Sequence, residues 1–221
     1  MSMEVSTVVR RTKFAAEETR KQILDAAELC FCETGISKTT LEMIAARAGC
    51  TRGAIYWHFN EKNDLLRQVI ERVPLSLFDE LESIKDGRVP EPVKAMHRCL
   101  SRSLIKLQYD VHLRNVIYIV FFCKECPDDI RIDYLQGMVD ANKFIELLVY
   151  IFETAKSHRE ICTDLRSETL AYLFFSLFTG MVRSCILLPE NEVFFRESSM
   201  VLELLLTTLI GVDKEAHYNE K

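Results

Sequence analysis

The run Thr51-Arg52-Gly53-Ala54-Ile55-Tyr56-Trp57-His58-Phe59 gathers more chemistry than any other segment of the chain. If it is helical, at about 100° per residue, Arg52, Gly53, Tyr56 and Trp57 fall within one arc of roughly 140°. Ala54, Ile55 and His58 point to the other side, and Phe59 closes the end. The arc offers a cation, a residue without a side chain, a phenol and an indole. An arginine can bind guanine O6 and N7 bidentately in a major groove. Tyr and Trp can donate to phosphate and pack on sugar or a thymine methyl. Two adjacent aromatics cannot both face inward on one helix, so Tyr56 and Trp57 are read as a contact surface and Phe59 as core. Thr40 and Thr51 stand at expected helix N-termini, where hydroxyls and open backbone N–H groups suit phosphate. Lys38, Lys62 and His58 can flank that track.

The elements that must position this arc follow from periodicity and stop signals. From about Glu17 to Thr34, Ile23, Ala27, Cys30 and Thr34, with Leu24 and Phe31, form one helical stripe, and Gly35 ends it. Residues 1–16 read as a flexible basic arm carrying Arg10, Arg11 and Lys13. Thr39-Thr40-Leu41-Glu42 fits a capping box with Thr39 as cap and Glu42 reaching back. Leu41, Ile44, Ala45 and Ala48 then follow at helical spacing, and Gly49 can take the left-handed conformation that stops the helix. Thr51 caps the next helix, to about Phe59. Two short helices joined by a tight turn around a glycine make a helix-turn-helix, here Thr40 to Phe59. A further helix is expected from about Glu61, capped by Asn60, through Leu65, Leu66, Val69, Ile70 and Val73, with Pro74 breaking or kinking it. The segment from Asp86 to Pro92 is a loop, and helical patterns follow at about 93–108, 112–124, 129–157, 166–188 and 193–211.

Residues Thr39–Leu66, TTLEMIAARAGCTRGAIYWHFNEKNDLL, resemble the DNA-binding motif of TetR-family transcriptional repressors. TRGAIYWHF is especially similar to the AcrR-type subgroup, and the likeness spans about residues 17–77, including TRKQILDAAELCFCETG in the first helix. The resemblance implies an all-α homodimer that places Thr51–Phe59 in the major groove. By position it marks Arg52, Gly53, Tyr56, Trp57, His58 and Lys62 as DNA contacts, with Thr40 opening the preceding helix. Cys50 stands where a small aliphatic is usual. The expected organisation is a basic arm (1–16), a three-helix DNA-binding domain (17–77), a larger helical ligand-binding and dimerisation domain (78–212) and a polar tail (213–221).

The same resemblance implies an effector pocket among the middle helices and dimerisation through the last two. Gln108, Tyr118, Phe121, Phe122, Met138, Asn142, Phe174 and Phe178 supply aromatic, Met and amide surface in that region, suited to a flat hydrophobic inducer. Leu170–Leu188 and Met200–Ile210 are apolar around most of their circumference, and pairing with a second copy would bury both. Leu170–Leu188 also reaches the lower length of a membrane span. Its Arg183, Ser176 and Thr179, and the lack of a second span, favour a helix in a core or subunit interface. The expected partners are thus a pseudo-palindromic double-stranded DNA operator, a hydrophobic inducer and a second copy, with no membrane. Control of a multidrug efflux operon is the leading role that the resemblance gives.

Composition sets bounds on other readings. Seven Gly and five Pro in 221 residues are too few for a turn-rich β fold. The net charge of −5 argues against a generic polyanion binder, yet residues 1–60 hold eight Lys/Arg against seven Asp/Glu, so an anion contact is sought there. The N-terminus lacks the apolar stretch of a signal peptide, and eight sparse cysteines fit a reducing cytoplasm. Cys123 and Cys126 have CxxC spacing, which keeps a thiol redox or metal sensor as the alternative. No second CxxC, nearby His, nucleotide-binding glycine motif or catalytic constellation accompanies them, so no enzyme activity, metal or cofactor is expected.

Overall fold

A computed structural model describes residues 2–73, 77–86, 89–123, 126–127, 130, 141–188 and 191–211. The chain divides into two compact units. The first holds Met1–Pro74 with Asn115–Tyr134, and the second Leu75–Arg114 with Leu135–Lys221. Among the described residues every regular element is a helix and there is no strand, as the all-α expectation requires. Pro74, residues 131–140 of the expected 129–157 helix with Met138 among them, and the tail from residue 212 lie outside the described residues.

In the first unit, α1 (Ser2–Thr34) packs against α2 (Leu41–Ala48), α3 (Arg52–His58) and α4 (Lys62–Glu71). The core is the expected stripe: Ile23, Ala27 and Phe31 of α1, Ile44 of α2, Ile55 of α3 and Leu65 and Leu66 of α4 are each at most 1% exposed. Burying an aliphatic or aromatic side chain of this size contributes about 1.5–3 kcal/mol. The helix α1 starts at Ser2, ahead of the expected start near Glu17 and through the segment expected as a loose arm. Residues 2–16 contain no Gly or Pro, so nothing in the backbone stops the helix from propagating.

Two capping expectations shift by one residue. Thr40, not Thr39, caps α2, its hydroxyl accepting from the Met43 N–H at 3.2 Å. Thr39 is buried at 1% exposure, with its hydroxyl 2.7 Å from the Gly35 carbonyl, 3.1 Å from that of Cys30 and 2.8 Å from the Thr34 hydroxyl. It fastens the turn between α1 and α2, while Glu42 turns toward Arg52. Likewise the cap position of α4 is Glu61 rather than Asn60. Asp64 accepts instead from the Asn60 backbone N–H at 2.9 Å, which holds its carboxyl below its ordinary range.

Glu28 of α1 is a buried carboxylate, 1% exposed, and its charge is matched within the unit. Arg72, closing α4, pairs with Glu28 and, at 2.5 Å, with Asp25; Asn115 donates to the second Glu28 oxygen at 2.8 Å. Asn115 belongs to α7 (Val111–Phe122), which changes unit between Arg114 and Asn115.

The second unit contains α5 (Leu77–Glu82), a 3-10 turn at Ser83–Asp86, α6 (Pro92–Tyr109), α8 (Ala141–Ser157), α9 (Ser167–Leu187) and α10 (Glu192–Gly211). Phe144, Phe152, Phe174 and Phe178 are buried where α8 meets α9. The open N–H groups of Val93 and Lys94 at the start of α6 each donate to the Glu160 carboxylate at 2.9 Å. Helix α9 is long and apolar enough to cross a membrane by length and composition alone. In this unit its inner face, Leu170, Ala171, Phe174, Phe178 and Met181, is buried.

Candidate nucleic-acid interface

Helices α2 and α3 are joined by a turn that the local residues dictate. Gly49 adopts φ 66°, a left-handed conformation that a side chain would strain, and the Cys50 N–H returns to the Ala45 carbonyl at 3.0 Å. Thr51 then caps α3, its hydroxyl accepting from the Ala54 N–H at 3.2 Å. Only Ile55 of α3 is buried, and Phe59, just beyond it, is 2% exposed with the Arg20 guanidinium 5.7 Å from its ring centre. This single anchor line fixes the rotation of the helix and turns the opposite arc outward.

That arc is the one expected from the residues. Trp57 is 72% exposed and Tyr56 48%, and Arg52 and Gly53 are exposed beside them. Arg52 pairs with Glu42, donates to the Tyr56 hydroxyl at 2.9 Å and lies 5.4 Å from the Tyr56 ring centre. The bond to Tyr56 and then the charge of Glu42 raise the Arg52 pKa, so the guanidinium is charged at any working pH. A Cβ built on Gly53 meets only the Thr51 hydroxyl at 3.8 Å, ordinary van der Waals contact. The fold therefore does not require glycine at this exposed position.

The remaining expected contacts take up different situations. Thr40 and Thr51 are exposed at their helix N-termini, and Lys38 is exposed in the turn before α2. His58 is half-buried with its ring edge-on to Trp57, centroids 4.5 Å apart. Burial first, and the Arg20 charge second, hold its pKa below the ordinary value, so it is a neutral imidazole at neutral pH. The Lys62 ammonium is engaged by three carbonyls of the α1–α2 turn: Ile36 at 2.8 Å, Thr39 at 3.1 Å and Ser37 at 3.4 Å. A sequence shows a lysine beside the motif but not carbonyls 23 to 26 positions away that occupy it.

The residues expected to line an effector pocket separate between the two units. Tyr118, Phe121 and Phe122 lie in the first, where Tyr118 and Phe122 stack with centroids 5.9 Å apart. Gln108, Asn142, Phe174 and Phe178 lie in the second. There Phe174 packs on Phe152 at 5.2 Å and Phe178 on Phe144 at 6.1 Å. A concavity of about 600 Å³ also runs along α10, lined by Glu197, Met200, Val201, Glu203, Leu204 and Thr207.

Cys123 follows the end of α7 and Cys126 lies in a bend, its backbone N–H donating to the Cys123 carbonyl at 3.0 Å. The pair is therefore not carried on one helical face. Burial pushes the thiols of Cys32 to about 12 and Cys185 to about 11, and those of Cys50 and Cys99 upward, away from reactive thiolate. Among the described residues no group of three His, Cys, Asp or Glu could hold a metal ion.

Residues 23–69 match the family model of bacterial regulatory proteins, tetR family, which spans the motif built above. The HTH-type transcriptional regulator TtgR of Pseudomonas putida is 34% identical over 188 residues, 83% of this chain and 88% of that protein. Among solved structures, SmeT, the repressor of the Stenotrophomonas maltophilia multidrug efflux pump SmeDEF, is 28% identical with a TM-score of 0.62 over 86% of this chain and 91% of that one. A SmeT–triclosan complex is 29% identical, with a TM-score of 0.66 over 88% and 93%. NalD, the secondary repressor of the MexAB-OprM multidrug efflux pump in Pseudomonas aeruginosa, is 25% identical with a TM-score of 0.65 over 90% and 98%. Motif, helical fold and a relative aligned along most of both sequences agree: the chain belongs to the tetR family of bacterial regulatory proteins.

Proposed function

We propose that this protein represses a multidrug efflux operon in the cytoplasm and leaves its operator when a hydrophobic or aromatic compound binds. The observation that carries the reading is the outward arc of α3. Arg52, Tyr56 and Trp57 are displayed where the fold leaves them exposed, beside a glycine that the fold does not require. Arg52 supplies a base contact, Tyr56 and Trp57 supply phosphate, sugar and methyl contacts, and Gly53 admits close approach of the backbone. Thr40 and Thr51 offer phosphate the N-termini of α2 and α3. His58 supports Trp57 as a neutral ring, and Lys62 braces the turn from which Lys38 and Thr40 reach outward.

The likeness to SmeT and NalD supports efflux control, and the SmeT–triclosan complex supports a hydrophobic aromatic inducer. The phenylalanine cluster of α8 and α9 offers the chemistry for such a ligand. The exposed apolar residues Tyr172, Leu173, Val193, Met200 and Leu204 of α9 and α10 support a homodimer that pairs these helices with their symmetry mates. A dimer of this kind sets two recognition helices about 34–36 Å apart, so the operator is expected to be pseudo-palindromic.

The test is selection of bound sequences from a random duplex pool, followed by titration of the selected duplex complex with triclosan. The reading expects an inverted repeat and release of the duplex by triclosan or a similar hydrophobe. Recovery of no preferred sequence would refute operator recognition. A complex that no member of an antibiotic and aromatic biocide panel dissociates would refute the inducer class.

A further inference from the structure

Glu42 is an acidic residue on the surface that the reading above presents to DNA. It is exposed on α2, with its side chain 58% accessible, and at that position it repels phosphate. Its stabilising effect on the fold is small, because an ion pair with a 56% accessible Arg52 is largely screened. Its geometry gives it another use. One terminal nitrogen of the Arg52 guanidinium pairs with Glu42 and the other donates to the Tyr56 hydroxyl at 2.9 Å. The guanidinium is thus held at two points, from α2 and from one turn along α3. Two of its five N–H donors are engaged and three are left for a base.

We propose that Glu42 is a positioning residue for operator specificity: it holds the Arg52 fork for a guanine edge, while its charge disfavours docking on non-cognate phosphate. An arginine without this restraint swings on a long flexible side chain to the nearest phosphate, which raises affinity without reading sequence. The clamp converts the same cation into a directed contact. This inference rests on the reading of α3 as the recognition helix and adds to it the residue that sets selectivity.

The experiment compares the full-length protein with Glu42→Gln, Glu42→Ala and Arg52→Ala. Binding is measured by fluorescence anisotropy on the selected operator, on duplexes with each G·C pair replaced in turn, and on a scrambled duplex. Arg52→Ala identifies its base pair, as the position where discrimination falls about tenfold to a hundredfold. Glu42→Ala is expected to lose most of the discrimination at that same pair while binding the scrambled duplex more tightly. Glu42→Gln, whose amide oxygen still accepts from Arg52, is expected to bind scrambled DNA more tightly but keep discrimination at that pair. Thermal midpoints close to wild type establish that each variant is folded, as the exposure of both side chains predicts. The proposal is overturned if Glu42→Ala discriminates like wild type, if the two Glu42 variants are alike at that pair, or if Arg52→Ala affects all pairs equally. Absence of any preferred duplex for the unmodified protein overturns the recognition-helix reading itself, a separate result.

Discussion

At the scale of single residues, function shows as side chains that folding does not explain. Gly53 is the sharpest instance, because a Cβ there has room and the backbone conformation is ordinary. Gly53→Ala is therefore expected to leave stability unchanged or raise it by up to about 1 kcal/mol. It should weaken operator binding by obstructing close approach, which melting curves and anisotropy on the same sample will show. The outward arc was legible because α3 has one buried residue, Ile55, and 100° steps from it place Tyr56 and Trp57 outside. The caps were less legible. Thr39 and Thr40 are equally good caps by type, and the choice is made by carbonyls of Cys30 and Gly35 that claim the Thr39 hydroxyl. His58 supplies a pH test with a definite sign. Its folded pKa lies below the ordinary value of 6.5, so below that pH the unfolded chain binds the proton more readily. Stability is therefore full above that value and falls as pH drops through it. Thermal midpoints from pH 7.5 to 5 should decline less for His58→Asn than for wild type.

At the scale of elements, the helix-turn-helix depends on what lies beneath it. The stripe on α1 and the apolar positions of α2 and α4 were readable from periodicity, since burial follows spacing on an amphipathic helix. The charges beneath were not. Glu28 lies on the buried side of α1, and its partners come from Arg72 and Asn115, 44 and 87 positions away. No local rule connects them. Arg72→Met removes a charge that pairs with Glu28, and breaking a buried ion pair from one side costs about 3–5 kcal/mol. Chemical denaturation should show that loss, which Glu28→Gln in the same chain should partly restore. The long start of α1 was missed for another reason. Residues 2–16 set Val5, Val8 and Val9 at helical spacing but carry the stripe no further, and Arg10, Arg11 and Lys13 follow, so periodicity alone does not mark a helix there.

At the scale of the whole molecule, the proposed division of labour rests on a dense motif in the first unit and on residue type alone in the second. The N-terminal unit is similar to its family through a dense motif, so position by position its surface could be named. The second unit offers hydrophobic residues whose type says buried but not in what. Phe174 and Phe178 are buried against Phe152 and Phe144, partners that composition cannot name. The apolar outer faces of α9 and α10 support the proposed dimer. Leu204, 65% exposed, is the test position. Leu204→Glu is expected to give a monomer by sedimentation, with an unchanged helical signal and operator affinity reduced more than a hundredfold. A dimer of unaltered affinity would place the subunit contact elsewhere.

The measurement that bears most directly on the central claim is operator affinity as a function of salt. A dimer presenting Lys38 and the positive N-terminal ends of α2 and α3 to the phosphates of two half-sites, with the Arg52 cation in the groove between them, releases condensed counterions. The logarithm of the association constant should therefore fall linearly with the logarithm of salt concentration, by about 0.9 per phosphate neutralised. Arg52→Ala should lower affinity on the operator by about 1–3 kcal/mol and bring it toward that for scrambled DNA. A flat salt dependence, or an Arg52→Ala protein that binds the operator like wild type, would contradict the account.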